Sequence, residues 1–297
     1  MERRGVFPPE IRAQATAVAC SLPQTQGVPL ARWSRSALAR KVASDPGLPR
    51  ISARTIGRWL KAERLRPWRY HTWQHIQNPQ TFLQRARPVL QAYERAMALY
   101  KEGTWLVCVD EKTSIQAREA EQAPQAAIPG HVVHQSPRYH RRGMRHLFAG
   151  LSVADGKVYG QCSARKRFVD FQAFLQEVIL PQALQRKVHK ILLVLDNGPT
   201  HAPKQLARWL EEQSTALKDQ QLSLEVLWLP VNASWLDQIE IWLSILQRKL
   251  LQPNHFLSTA SLEQAISDFI AYYNQEAKPI QWSYTVEKLE RKLGTHS

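Results

Sequence analysis

Apolar and polar positions alternate in two distinct rhythms along this chain. Over roughly the first hundred residues the apolar positions recur at helical spacing, in short segments cut by proline and polar turns. Pro8 and Pro9 open a helix through about Leu22. A second, "SRSALARKVA", takes Ser34 or Ser36 as its N-cap, and "DPGLPR" then breaks the chain. In "ISARTIGRWLKAERL" Ser52 is the natural cap, and Ile56, Trp59, Leu60 and Leu65 form one apolar stripe. Arg54, Arg58 and Lys61 fall on the other faces. A longer helix, rich in Arg and Ala, follows from Pro79 to about Tyr100.

The rhythm then changes to short apolar runs of strand length. "WLVCVD", "HLFAGLSV" and "KVYGQCS" read as strands, the last two joined through the Asp155-Gly156 turn. A helix from Val169 to Gln185, strand "HKILLVLD", helix "APKQLARWLEEQ", strand "LSLEVLWLP" and a helix starting near Ser234 continue the series. The order βββαβαβα, with an antiparallel hairpin first and right-handed crossovers after it, predicts a mixed sheet with helices on both faces. "SLEQAISDFIAYYNQ" and a basic tail close the chain, while "AEQAPQAAIPG" reads as a loop. The expected domains are a small all-helical region (1–75), a helical linker (76–103), an α/β core (104–257) and a C-terminal helical extension (258–297).

Charge sharpens this division. The net charge is +15, and residues 1–100 hold 17 Lys+Arg against 5 Asp+Glu, or +12, which leaves +3 for the rest. A basic excess concentrated in one helical region fits a polyanion, because clustered Arg and Lys release counterions from phosphate, although a solubilising face would have the same composition. Short helices ending in an amphipathic one with free arginines resemble a helix-turn-helix module. The connection from Ser44 to Ile51 is longer than that motif ordinarily has, so a looser three-helix variant fits as well. Arg66 and Arg69, around Trp68 in "RLRPWRYHTW", are either a DNA-tracking linker or solvated charges. Trp59, Trp68, Trp73 and Trp242 are read as packing residues. Three scattered cysteines exclude a disulfide framework, and no apolar run approaches the roughly 20 residues that span a bilayer. A soluble, cytoplasmic, nucleoid-associated protein is expected, without a membrane partner.

Three carboxylates hold telling places. Asp110 ends the first strand, Asp196 ends the fourth just before "NGPTH", and Glu240 interrupts the apolar helix "LDQIEIWLSILQRKL". The first and fourth strands should lie side by side and parallel, so both aspartates emerge at one edge of the sheet. Glu240 falls on the flank of the stripe Ile239, Trp242, Leu246 and Leu250, about a turn and a half into a helix whose capping box pairs Ser234 with Asp237. Three ionised carboxylates this close require a cation, and hard oxygen donors suit Mg²⁺ or Mn²⁺. Two ions about 4 Å apart would serve an in-line phosphodiester displacement. Asn197 and His201 stand where they would assist, by hydrogen bonding near the metal, meeting a phosphate or orienting water; a turn Asn and a helix-start His account for them too. Glu111 is expected to point to the opposite side of the sheet. "HVVH" matches no zinc motif, and Arg141 and Arg142 in "RYHRRGMRH" belong to a basic loop near bound DNA. Arg248 and Lys249 either meet phosphate or face solvent.

In combination, "VDEKTS", "LVLDNGPTH" and "LPVNASWLDQIEIWLSILQRKL" resemble the DDE transposases of bacterial insertion sequences related to the mariner superfamily. The resemblance implies a ribonuclease-H-like core and an Asp110, Asp196 and Glu240 triad holding the metal. It also implies double-stranded DNA as partner, with the N-terminal helices on terminal inverted repeats, and cut-and-paste transposition into a TA target. Pairing of two ends implies a homodimer on DNA. Two departures stand out. The group usually carries a further N-terminal helix-turn-helix region, so a truncated, inactive DNA-binding remnant competing for element ends is the rival reading. It also commonly has Asn where Asp237 stands. A structure-selective nuclease on the same core is a third possibility.

Overall fold

The computed structural model describes residues 7–69, 76 and 78–294. The chain divides into two compact units, residues 1–75 and 76–297. In the first, α1 (Pro9–Cys20), α2 (Arg35–Ala43) and α3 (Ala53–Ala62) enclose a small core of Trp33, Leu38, Ile56 and Leu60. Ser34 and Ser52 cap α2 and α3, each hydroxyl accepting from an amide three residues on. Trp33 is anchored by its indole N–H, which donates to the Ser21 carbonyl at 2.7 Å. Trp59 packs edge-on against Phe7, and the Trp68 ring lies under the Arg35 guanidinium, 4.8 Å away. Trp73 lies outside the described residues. Arg54, Arg58, Lys61, Arg66 and Arg69 are all exposed.

In the second unit, α4 (Pro79–Glu94) and α5 (Ala96–Lys101) stand where one helix was expected, separated at Arg95. The sheet comprises β1 (Thr104–Ala120), β2 (Tyr139–Ser152), β3 (Val158–Ser163), β4 (Lys190–Leu195) and β5 (Ser223–Trp228), in the order β3-β2-β1-β4-β5. β1 runs antiparallel to β2 and parallel to β4, and β4 is parallel to β5. The helical crossovers are α6 (Phe168–Phe174) continued through a wide turn at Leu175–Ile179 into α7 (Leu180–Gln185), then α8 (Pro203–Asp219). Ile239–Lys249 forms α9, Thr259–Gln275 α10 and Val286–Gly294 α11.

Strand alternation sorts the core into two layers. Leu106 and Cys108 of β1, with Leu192 and Val194 of β4, face Tyr93 of α4 and Trp242 and Leu246 of α9. Trp105, Val107 and Val109 face the other way, against Phe171, Phe174 and Leu206. The β2–β3 hairpin turns at Gly156, whose φ is +74° and where a Cβ would lie 2.0 Å from the Lys278 carbonyl oxygen, so both torsion and space demand glycine. Beside it, Arg186 lies over the Trp105 ring, 4.9 Å away, and donates to Asp155 Oδ2 at 2.8 Å and the Tyr100 hydroxyl at 3.1 Å.

Two expectations need correction. β1 does not end at Asp110. It runs ten residues further, paired with β2 alone once its pairing with β4 ends at Cys108. The extension carries Ile115, Ala117 and Ala120 inward, and alanines contribute too little hydrophobicity to mark a strand in the sequence. Nor does the Glu240 helix begin near Ser234 with a capping box. Ser234–Leu236 is a single tight turn, Asp237 is extended, and α9 starts at Ile239, which places Glu240 in its first turn. In the buried stripe, Leu243 joins Ile239, Trp242 and Leu246, while Leu250 is only partly covered.

Candidate active site

Asp110 and Asp196 have even numbers on adjacent parallel strands, so both leave the sheet on the face covered by α9. Asp196 follows the last residue of β4. Its Oδ1 accepts from the Gly198 amide at 2.8 Å and lies 2.7 Å from His201 Nδ1. Asp110 Oδ1 accepts from the Glu111 amide at 2.7 Å. One donor atom from each of Asp110, Asp196 and His201 lies within 4.8 Å of the others.

Glu240 stands outside that cluster, half-buried on the same side of the sheet. Its neighbour in space is Asp237, which is 2% exposed. Burial, then the charges of Asp110 and, more weakly, Glu240, push the Asp237 carboxyl well above the ordinary carboxylate range. Asp237 Oδ1 accepts from the Ile239 amide at 3.2 Å. The adjacent Cys108 thiol, raised by its own burial, is 3.2 Å from the Tyr93 hydroxyl, which donates to the Leu236 carbonyl at 3.0 Å. A buried acid, its charge disfavoured by that burial, thus braces the turn that delivers Glu240, in place of the capping interaction expected from the sequence.

His201 is fully buried at the end of the sheet, edge-on to Phe171 at 4.8 Å. Glu111 does point to the layer opposite Asp110, as alternation requires. There it accepts from the Thr200 hydroxyl at 2.7 Å and lies 3.5 Å from His201 Nε2, with Lys166 Nζ 4.0 Å away. His201 therefore bridges the two layers, from Asp196 on one side to Glu111 on the other. Burial opposes its charge, but the hydrogen bond to Asp196 and the surrounding carboxylates outweigh that and raise its pKa. The same hydrogen bond lowers Asp196. Asp110 is pushed up to about 7, by burial first and then by the charges of Glu111 and Asp196.

Sequence reasoning missed the Thr200–Glu111 pair. Asp110, Glu111 and His201 were each visible, but not that His201 would reach Glu111 across the end of the sheet. Asn197, expected near the metal, donates its amide to the Leu229 carbonyl at 2.6 Å and so ties the ends of β4 and β5 together. Arg141 and Arg142 are not in a loop as expected but exposed on β2, which pairs with the extension of β1, and Arg142 is paired to Glu119; Arg248 and Lys249 are exposed in the last turn of α9. His131 and His134 sit on a small hairpin around Pro129–Gly130, their rings 6.4 Å apart.

These donors suit a divalent cation. The two carboxylates are hard oxygen donors on neighbouring strands, close enough to share an ion. The family model described as DDE superfamily endonuclease matches residues 105–263, more than half of the chain, and the chain belongs to that family. It is therefore an enzyme of the metal-dependent DDE class, as the three sequence blocks implied. Among solved structures, the chain is similar to the mariner Mos1 paired end complex with Mg (TM-score 0.55, 17% identity, covering 99% of this chain and 82% of that one). It is also similar to the Mos1 mariner paired end complex with Mn (TM-score 0.50, 17% identity, covering 99% and 78%). These likenesses establish the ribonuclease-H-like fold. No curated protein sequence matches the chain. Among the described residues, no helix is long and apolar enough to cross a membrane.

Proposed function

We propose that this chain is an insertion-sequence transposase that binds the terminal inverted repeats of its element and cuts and rejoins DNA at a TA target. The observation that carries the reading is the meeting of Asp110 and Asp196 from neighbouring parallel strands, beneath the helix that bears Glu240, in a member of the DDE endonuclease family. Asp110, Asp196 and Glu240 would hold two divalent ions. Bound there, magnesium or manganese supplies activation of a water or sugar hydroxyl and stabilisation of the leaving oxygen in a phosphodiester displacement.

The chain's own residues do the positioning. His201, locked between Asp196 and Glu111, fixes the Asp196 carboxylate, and the Gly198 amide holds the same oxygen. Asp237, buried beneath Glu240, braces its turn through the Ile239 amide. The exposed arginines of α3 and its C-terminal continuation, Arg54, Arg58, Arg66 and Arg69 with Lys61, meet the phosphates of the inverted repeat. Arg141, Arg142, Arg248 and Lys249 do the same for DNA lying across the core. The mariner structures are of paired ends, which supports a homodimer assembled on DNA.

The test is cleavage of a duplex carrying the element's terminal repeat, with Mg²⁺ or Mn²⁺. Asp196→Asn should bind that duplex as the unaltered chain does and leave it uncut. Undiminished cleavage by this variant, or no metal-dependent cleavage by the unaltered chain, would overturn the assignment.

A further inference from the structure

The carboxylates are fixed in two different ways. Asp110 and Asp196 are set against each other by the backbone ladder between β1 and β4, which runs up to Cys108. Glu240 has no such ladder. It hangs from the turn before α9, where its amide donates to the Asp237 carbonyl at 3.3 Å and the Ile239 amide donates to Asp237 Oδ1 at 3.2 Å. That turn is tied down at its front end. The buried Tyr93 hydroxyl, carried by α4, donates to the Leu236 carbonyl at 3.0 Å, across 143 positions of chain, and lies 3.2 Å from Cys108 Sγ. A phenol has one proton, and with it given to Leu236 the oxygen accepts from the Cys108 thiol. Cys108 stands two residues before Asp110 on the same face of β1, since side chains repeat every second residue along a strand. Asp237 and the Gln238 amide border the same pair.

We propose that Tyr93 is the positioning residue that sets Glu240 at its distance from Asp110, and so secures the second of two divalent ions. The proposal rests on the two-ion transposase reading. The Tyr93 hydroxyl joins the strand that carries Asp110 to the turn that carries Glu240. Its ring is held independently, edge-on against Trp282 at 5.4 Å, within a layer that includes Leu90, Leu106 and Trp242. Phenylalanine would fill that space equally well, so packing gives no reason for a hydroxyl there, and a buried polar group with nothing to bond costs stability. Both of its contacts go to the two elements on which the site depends. Loss of the hydroxyl frees the Leu236 peptide, four residues before Glu240, and leaves the ladder between β1 and β4 untouched. An ion shared by Asp110 and Asp196 should therefore stay, and one that needs Glu240 should weaken.

The experiment titrates Mn²⁺ into the whole protein and follows binding by electron paramagnetic resonance, in which an isolated ion gives a sharp hyperfine pattern and two ions about 4 Å apart give a broad, exchange-coupled spectrum. The unaltered chain should bind two ions and show the coupled spectrum. Tyr93→Phe should keep one ion at unchanged affinity, lose at least about tenfold in affinity for the second, and show the coupled spectrum only when manganese is raised in proportion. Leu90→Val thins the same layer without touching the hydroxyl. It should lower the melting temperature and keep both ions, which separates positioning from a general loosening of the core. Should Tyr93→Phe not fold, Cys108→Ala removes the β1 partner of the same hydroxyl and should weaken the second ion alone. Two ions of unchanged affinity in the hydroxyl variant, equal loss of both ions, or the same loss in Leu90→Val would overturn the proposal, while the coupled spectrum of the unaltered chain leaves the transposase reading standing. Binding of no manganese, or of a single ion, by the unaltered chain would remove the two-ion reading as well.

Discussion

At the scale of single residues, the site is defined by how its carboxylates share protons. Asp110, ordinarily near 3.8 and here pushed to about 7, holds a proton in the folded chain over a range where the unfolded chain has lost it. The folded state therefore binds more protons between those values, so Asp110 costs stability progressively as pH rises through that window, and the full cost is present above it. Without metal, Asp110→Asn should raise the melting temperature at about pH 8 and leave it nearly unchanged at about pH 4. Cation binding needs the ionised form, so Mg²⁺ affinity should climb as pH rises through 7, with a proton released. Calorimetry in two buffers of different ionisation enthalpy measures that proton directly.

Gly198 offers a second residue-scale test. A Cβ there would lie 2.8 Å from Asp196 Oδ1. Gly198→Ala should displace the carboxylate and weaken Mn²⁺ binding by about tenfold or more, with little change in the melting temperature. Equal manganese affinity in the two proteins would show that the Asp196 position is not held by this turn. The meeting of Asp110 and Asp196 was legible in the sequence because each follows an apolar run on a strand expected to lie beside the other, whereas Glu240 was expected closer than the structure brings it. The roles of Glu111, Thr200 and Asp237 were not legible, because the first two depend on each other across 89 positions and the third on burial that the local pattern does not record.

At the scale of elements, the α6–α7 crossover is pinned to the β2–β3 hairpin by Arg186, whose side chain is 10% exposed against 33% for Asp155. Removing the cation leaves the Asp155 carboxylate without its buried partner and the Tyr100 hydroxyl without its donor. Arg186→Met should cost about 3–5 kcal/mol in urea unfolding, as breaking a buried pair does. A loss below about 1 kcal/mol would mean that the pair behaves as a surface bridge. Element order and strand pairing were readable from the alternation of short apolar runs with helical ones. The boundaries of β1 and α9 were not. The β1 extension owes its pairing to β2 and to the 254–256 segment, whose Asn254 side chain and Phe256 amide bond to Arg118, and the start of α9 is set by the burial of Asp237. Neither partner lies within the window over which periodicity is read.

At the scale of the whole molecule, charge and architecture divide the work. The +12 excess of the first hundred residues belongs largely to the helical unit, and duplex affinity should fall steeply with salt. Replacing both Arg54 and Arg58 with alanine should lessen the log–log salt slope by about 2, read by fluorescence anisotropy over a salt series. An unchanged slope would place DNA on some other face.

The sequence by itself determined that there are two textures, a basic helical region and a mixed sheet in a particular strand order, and that Asp110 and Asp196 come from neighbouring parallel strands on one side of the sheet. Those features are local, since a period of two or of 3.6, a turn residue and a charge count need no knowledge of distant partners. Only the tertiary structure decided that His201 joins the carboxylates in place of a close approach by Glu240, that Asp237 is a buried brace rather than a cap, and that the segment after α9 closes the edge of β1. Each of these outcomes depends on desolvation and on hydrogen bonds between groups remote in the chain, and those energies exist only once the two layers of the core have closed around the sheet.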